Sequence, residues 1–165
     1  MSRIRFSVLA IATLALVGTF SMTALSQELS TEKVIPVDMA QTMAQAAIAQ
    51  CRANGYRVTA TVLDNGGNLK VVIRDDGAAL VTVDLSHRKA YSALIFRRTS
   101  GETAKAFGAM TPSPTVAGTV MLAGGVPIKV GNETIGAIGV SGAPGGDKDE
   151  ACADAAIAKV AAQLK

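Results

Sequence analysis

The chain has 165 residues, a length for one domain, and carries a formal charge of +3 from 16 Lys and Arg against 13 Asp and Glu. Two of those cations, Arg3 and Arg5, lie in an N-terminal segment expected to be removed, which leaves +1 and no basic face for nucleic acid. With no Trp, two Tyr and four Phe, the core has to be built from Ala, Val, Ile, Leu and Met, so that backbones approach closely and a flat apolar ligand finds room.

Arg3 and Arg5 precede an apolar run over residues 6–17, after which residues 18–26 turn small and polar and place Ala24-Leu25-Ser26 ahead of Gln27. That is the layout of a secretory signal. The apolar run, roughly a dozen residues, is short against the ~20 needed to cross a bilayer. Residues 1–26 are therefore expected to be a signal peptide, cut to give a periplasmic or secreted chain with no membrane span. Cys51 and Cys152 are the two cysteines of this chain. In an oxidising compartment they fit a disulfide between the first and last helices, and Cys51 fits equally as a small buried hydrophobe. Their spacing does not suit a zinc site.

Residues 27–35 read as a flexible leader, and residues 36–165 as the folded domain. Pro36 suits a first helical turn. Ala40, Met43, Ala44, Ala47, Ile48 and Cys51 follow at helical spacing, and Asn54-Gly55 ends that helix. Residues 57–63 alternate, with Val58, Ala60 and Val62 on one face and Thr59, Thr61 and Leu63 on the other. A tight turn at residues 64–68 returns the chain into a strand over 69–73, making a hairpin.

The spacing predicts a second helix over residues 85–98, capped by Asp84 or Ser86. His87, Tyr91, Leu94 and Arg98 then fall on one face, with Arg88 and Lys89 beside it and Arg97 near its end. Such a face can hold a ligand, and it is equally compatible with a solvated histidine and arginines that favour the negative end of a helix. Residues 102–110 read as a third helix with Ser100 as cap, and Met110 as a gap filler or a soft ligand. Pro112 and Pro114 interrupt regular structure, and residues 115–123 form a short strand or a crossing loop.

A second hairpin follows, 126–130 and 134–141, with Gly136 and Gly139 inside its returning strand. Glycines there mark the close approach of another backbone or a ligand. Residues 142–146 turn into a last helix, where Asp147 and Glu150 have the spacing of a capping box. That turn lacks the residues of a phosphate loop or a dinucleotide fingerprint, and no Gly-x-Ser-x-Gly elbow presents a nucleophile. The order helix, hairpin, two helices, hairpin, helix is α+β, an antiparallel sheet with flanking helices.

Five blocks along the chain resemble, in order, the motifs of the GlcG/HbpS family. They are Val62-Leu63-Asp64-Asn65-Gly66-Gly67-Asn68-Leu69, Arg74-Asp75-Asp76-Gly77-Ala78, Arg88-Lys89-Ala90-Tyr91-Ser92-Ala93, Gly124-Gly125-Val126-Pro127-Ile128, and Gly136 to Gly142 through Asp147-Lys148-Asp149-Glu150. The resemblance implies a profilin-like α+β fold, an antiparallel sheet with helices on both faces, assembly into a homo-oligomer, and haem binding linked to sensing, sequestration or degradation. Thr99 matches a position that the resemblance places near the ligand. His87 as ligand to the iron is an inference from the helical face, with Tyr91 stacking or hydrogen-bonding and Arg88, Arg97 or Arg98 pairing with propionates. A second reading is a small-molecule enzyme or accessory protein in which Asp64, Asp76 or Glu102 stands beside His87 as an acid/base pair.

Overall fold

Ala40, Met43, Ala44, Ala47, Ile48 and Cys51 form the buried stripe of α1 (Val37–Ala53), as their spacing predicts. The computed structural model describes residues 27–110 and 116–165, so the expected signal peptide and the stretch holding Pro112 and Pro114 lie outside the described residues. Residues 27–31 carry no helix or strand, and Glu32–Lys165 forms a unit of its own. Residues 27–34, most of the expected leader, are exposed. Ile35 is fully buried, one position ahead of the Pro36 cap, as part of the larger core and with its side chain at Gly136 of the sheet.

Beyond α1 the described elements are β1 (Thr59–Asp64), β2 (Leu69–Arg74), α2 (Val81–Phe96), α3 (Ser100–Gly108), β3 (Gly125–Val130), β4 (Glu133–Ser141) and α4 (Gly146–Val160). The strands form one antiparallel sheet in the order β2-β1-β4-β3. Its register sets Ala60 opposite Val140 and Val62 opposite Ile138, and these join α1 and α4 in the larger core. Thr59, Thr61 and Leu63 face the other way, toward α2. The alternation expected for β1 is thus the division between two layers, one on each face of the sheet.

Three boundaries differ from expectation, each for a local reason. Helix α2 starts at Val81 rather than residue 85 and ends at Phe96, because Arg97 adopts a left-handed conformation with φ 53°. Thr99, not Ser100, caps α3: its hydroxyl accepts from the Glu102 amide and the Glu102 carboxylate accepts from the Thr99 amide, a complete capping box. Asp147 and Glu150 form no such box, since α4 begins at Gly146 with Gly145 as cap. Glu150 turns instead to the amides of Gly101, at 2.8 Å, and Gly124, at 3.3 Å, tying α4 to the start of α3 and the approach to β3.

Two links fasten α1. Cys51 and Cys152 form a disulfide to α4 with Cα atoms 5.7 Å apart, and both are fully buried. Arg52 grips Asp75 with its guanidinium, Nε lying 2.9 Å from Oδ2, and Nη2 also bonding Oδ1. Asp75 is buried in the loop after β2, and the Arg52 hydrogen bonds hold its carboxyl below the usual carboxylate range.

Because the disulfide closes a loop of 101 positions, its loss is expected to lower stability by about 2–5 kcal/mol. Urea unfolding of wild type and of the Cys51→Ala, Cys152→Ala double variant checks this. Asp75 gives a second expectation. A carboxyl whose folded value is depressed stabilises the fold above its unfolded value and loses that contribution as the pH falls through the folded one. Stability should therefore drop as the pH goes below about 4, and Asp75→Asn should flatten that part of the pH profile.

Candidate functional site

The site follows from where α2 sits. Gly139 of β4 and its partner Gly125 of β3 lie directly beneath the helix: a β-carbon at Gly139 would stand 2.0 Å from the Ser86 carbonyl oxygen, and one at Gly125 2.0 Å from that of Lys89. The close approach expected at Gly139 is therefore made by backbone, not by a ligand. At Gly136 the corresponding space is taken by Ile35 and the Leu63 carbonyl. Two hydroxyl pairs fix the helix over β1, Thr59 with Thr82 and Thr61 with Ser86, each at 2.7 Å.

A helix about 10 Å wide covers about two strands spaced by 4.8 Å. Centred as it is, α2 leaves the edge strand β2 bare on this face. The result is an open groove of about 390 Å³, lined by Thr61, Leu69, Val72, Leu80, Val83, Asp84 and His87. Its walls are apolar and reach solvent, Leu80 being 79 % exposed, Leu69 53 %, Val72 40 % and Val83 39 %. The volume falls within the range of about 300–1,000 Å³ typical of small-molecule sites. His87 brings the one imidazole of the chain to its edge. Tyr91 lies one turn on, its ring stacked against that imidazole with centroids 6.4 Å apart and planes 12° off parallel.

The predicted face is only partly assembled. His87 and Tyr91 come together as the spacing requires, whereas Leu94 turns into the small core with Leu63, Ala90, Ala93 and Ala137. Arg97 and Arg98 lie past the helix, about 15 Å along its axis from His87 and away from the groove. There Arg98 donates to the Thr103 hydroxyl at 3.2 Å and lies over the Phe107 ring at 5.8 Å. The Thr99 hydroxyl is engaged in its capping box. Arg88 is exposed and paired with Asp84 one turn back, at 2.9 Å, so a guanidinium and a carboxylate share the rim near His87. Asp64 binds Asn68 within the first hairpin turn, Glu102 caps α3 and Asp76 is exposed. The carboxylate that lines the groove with His87 is Asp84 instead. Met110 is exposed at the end of α3.

Sequence reasoning missed the role of Lys89. Its ammonium is buried and lies 2.7 Å from Asp149 of α4 and 3.2 Å from the Val140 carbonyl. Asp149 also accepts from the Ala143 amide at 3.0 Å, so an amide of the turn before α4 is taken by the chain's own carboxylate. Burial pushes the Asp149 carboxyl above its usual range, against the pull of these hydrogen bonds. Ionising it thus costs the fold free energy as the pH rises past that range, and Lys89 limits the cost. The signal that would have found the pair is a lysine in a stripe of small hydroxyl residues, Thr82, Ser86, Lys89 and Ser92, all buried. Among the described residues no cluster of three or more His, Cys, Asp or Glu is arranged to hold a metal, and no helix is long and apolar enough to cross a membrane.

Residues 35–158 match a family model described as haem degrading protein HbpS-like. Protein GlcG of Escherichia coli K12 is 33 % identical over 114 residues, covering 68 % of this chain and 85 % of GlcG. The crystal structure of a double mutant of HbpS from Streptomyces reticuli superposes with a TM-score of 0.77 at 32 % identity, covering 92 % of this chain and 99 % of that one. A PduOC–haem complex shares the fold, with a TM-score of 0.68 at 21 % identity over 76 % of this chain and 94 % of PduOC.

The buried pair is expected to be costly to break and cheap to replace. Lys89→Met should lower stability by about 3–5 kcal/mol, because Asp149 is left buried without its partner. Adding Asp149→Leu to that variant should restore most of the loss, as read from urea unfolding of both.

Proposed function

The chain belongs to the HbpS-like family, and from that premise we propose that it is an exported haem-binding protein whose porphyrin lies in the groove between α2 and β2. The observation that carries the reading is the groove itself, apolar side chains from two elements with one imidazole at the edge. That donor set fits haem: apolar walls suit the macrocycle and an imidazole is a common axial ligand to its iron. Haem, when bound, would supply the ligand and redox chemistry of its iron, and the chain's residues hold and orient it.

His87 is favoured over Thr99 as the axial ligand, because the Thr99 hydroxyl is occupied in capping α3 while His87 lines the groove. Arg88 is favoured over Arg97 and Arg98 for the propionates for a similar reason, since it stands one residue from His87 and its partner Asp84 lines the same groove. Leu69, Val72, Leu80 and Val83 would hold the apolar macrocycle and exclude water where they cover it. Export is supported by the signal-like order of residues 1–26 and by the Cys51–Cys152 bond, which persists in an oxidising compartment. A homo-oligomer belongs to the same reading, with the exposed Val81 beside the groove available for contact.

Titration of the purified chain with hemin is the test. A Soret shift saturating at one equivalent is expected, with His87→Ala binding at least about tenfold more weakly and with an altered spectrum. An unchanged spectrum at stoichiometric hemin would sink the proposal, whereas wild-type behaviour of His87→Ala would remove the histidine alone.

A further inference from the structure

We infer that Tyr91 is the positioning residue of this groove, a ring clamped between two glycines that holds the His87 imidazole in one orientation. The inference rests on the reading of His87 as the ligand-holding side chain. Tyr91 follows His87 by four residues on α2, so the two rings stand one above the other, and their near-parallel stacking limits rotation of the imidazole.

What holds Tyr91 itself comes from two distant segments. A β-carbon at Gly67, in the first hairpin turn, would lie 3.1 Å from Tyr91 Cε2, and one at Gly118, in the loop before β3, 3.0 Å from Cε1. The bare α-carbons therefore close on opposite edges of the ring. Both glycines have φ near +80°, so a side chain at either would meet the ring and strain the backbone together. Each jaw is anchored. The Gly67 amide donates to the Asp64 carbonyl at 3.1 Å, and the loop holding Gly118 is tied to α2 where Val120 N–H donates to the Ser92 hydroxyl at 2.9 Å, one residue beyond Tyr91. Tyr91 is half-buried and packs also on the small core of Leu63, Ala90, Ala93, Leu94 and Ala137, so the two jaws hold a ring that is already seated.

The chain contains one histidine, so a single imidazole signal reports on it. Carbon relaxation of the His87 Cε1–Hε1 group is measured without hemin in wild type, Tyr91→Phe, Tyr91→Ala and Gly118→Ala. Tyr91→Phe should match wild type, while Tyr91→Ala and Gly118→Ala should make the imidazole more mobile or broaden its signal. Hemin affinity should fall about two- to tenfold in Tyr91→Ala and be kept in Tyr91→Phe. Unchanged His87 relaxation in a folded Tyr91→Ala would overturn the inference. If that variant does not fold, Gly118→Ala carries the test, since it keeps the ring and moves it, and unchanged relaxation there would likewise overturn it. A wild type that binds no hemin, with His87 still loosened by these changes, leaves the positioning role standing and removes the haem reading.

Discussion

The packing of the α2 backbone on Gly125 and Gly139 is the constraint from which the rest of this molecule follows. Helices ordinarily rest on a sheet through side chains, which hold the axis about 10 Å away. Here the carbonyls of Ser86 and Lys89 come down onto bare α-carbons, so the helix sits low and its lateral position is fixed by where those glycines lie. They occupy β3 and β4, at the far side of the sheet from β2. An uncovered edge strand, and with it a groove, is the geometric remainder.

Such proximity also changes which side chains α2 turns inward. Close to the sheet there is room for Thr82, Ser86, Ala90 and Ser92, and for a lysine that reaches across to α4, while the one buried leucine of the helix, Leu94, lies toward its C-terminal end. The larger apolar residues of the first turn, Leu80, Val81 and Val83, face out. The helix is thus inverted relative to an ordinary amphipathic one. Its inner face is held by hydroxyl pairs and a buried ion pair, and its outer face supplies part of an apolar surface that another molecule can cover. Glu150 and Asp149, neighbours at the start of α4, complete the arrangement by turning their carboxylates to amides and an ammonium of other elements.

This inversion explains what was legible in the sequence and what was not. The α1 stripe, both hairpins and the two faces of β1 follow ordinary periodicity, and each stands where the pattern places it, to within a residue or two at the ends. The start of α2 was misplaced because its buried stripe is polar, which removes the apolar period that marks a helix. His87 and Tyr91 were legible as neighbours, four residues apart. Arg98 was not separable from them, because nothing local announces that Arg97 turns left-handed and takes the next residue off the helix. Lys89, which Asp149 pairs with, and the amides that Glu150 binds lie 26 to 60 positions away, so Glu150 reads as half of a capping box until the tertiary contacts are known. The walls of the groove pose the same difficulty, since Leu69 and Leu80 meet only through the sheet.

The disulfide between α1 and α4 lies on the side of the sheet opposite to the groove. One layer is therefore closed covalently around its apolar core, while the other is kept by hydrogen bonds, one ion pair and close van der Waals contact. Opening free energies need not be uniform across a small domain, and elements tied less firmly exchange their amide hydrogens sooner. In this chain the cross-linked layer is the natural reservoir of slow exchange. Helix α2 is held without a covalent tie, so its amides are expected to exchange sooner than those of α1 and α4.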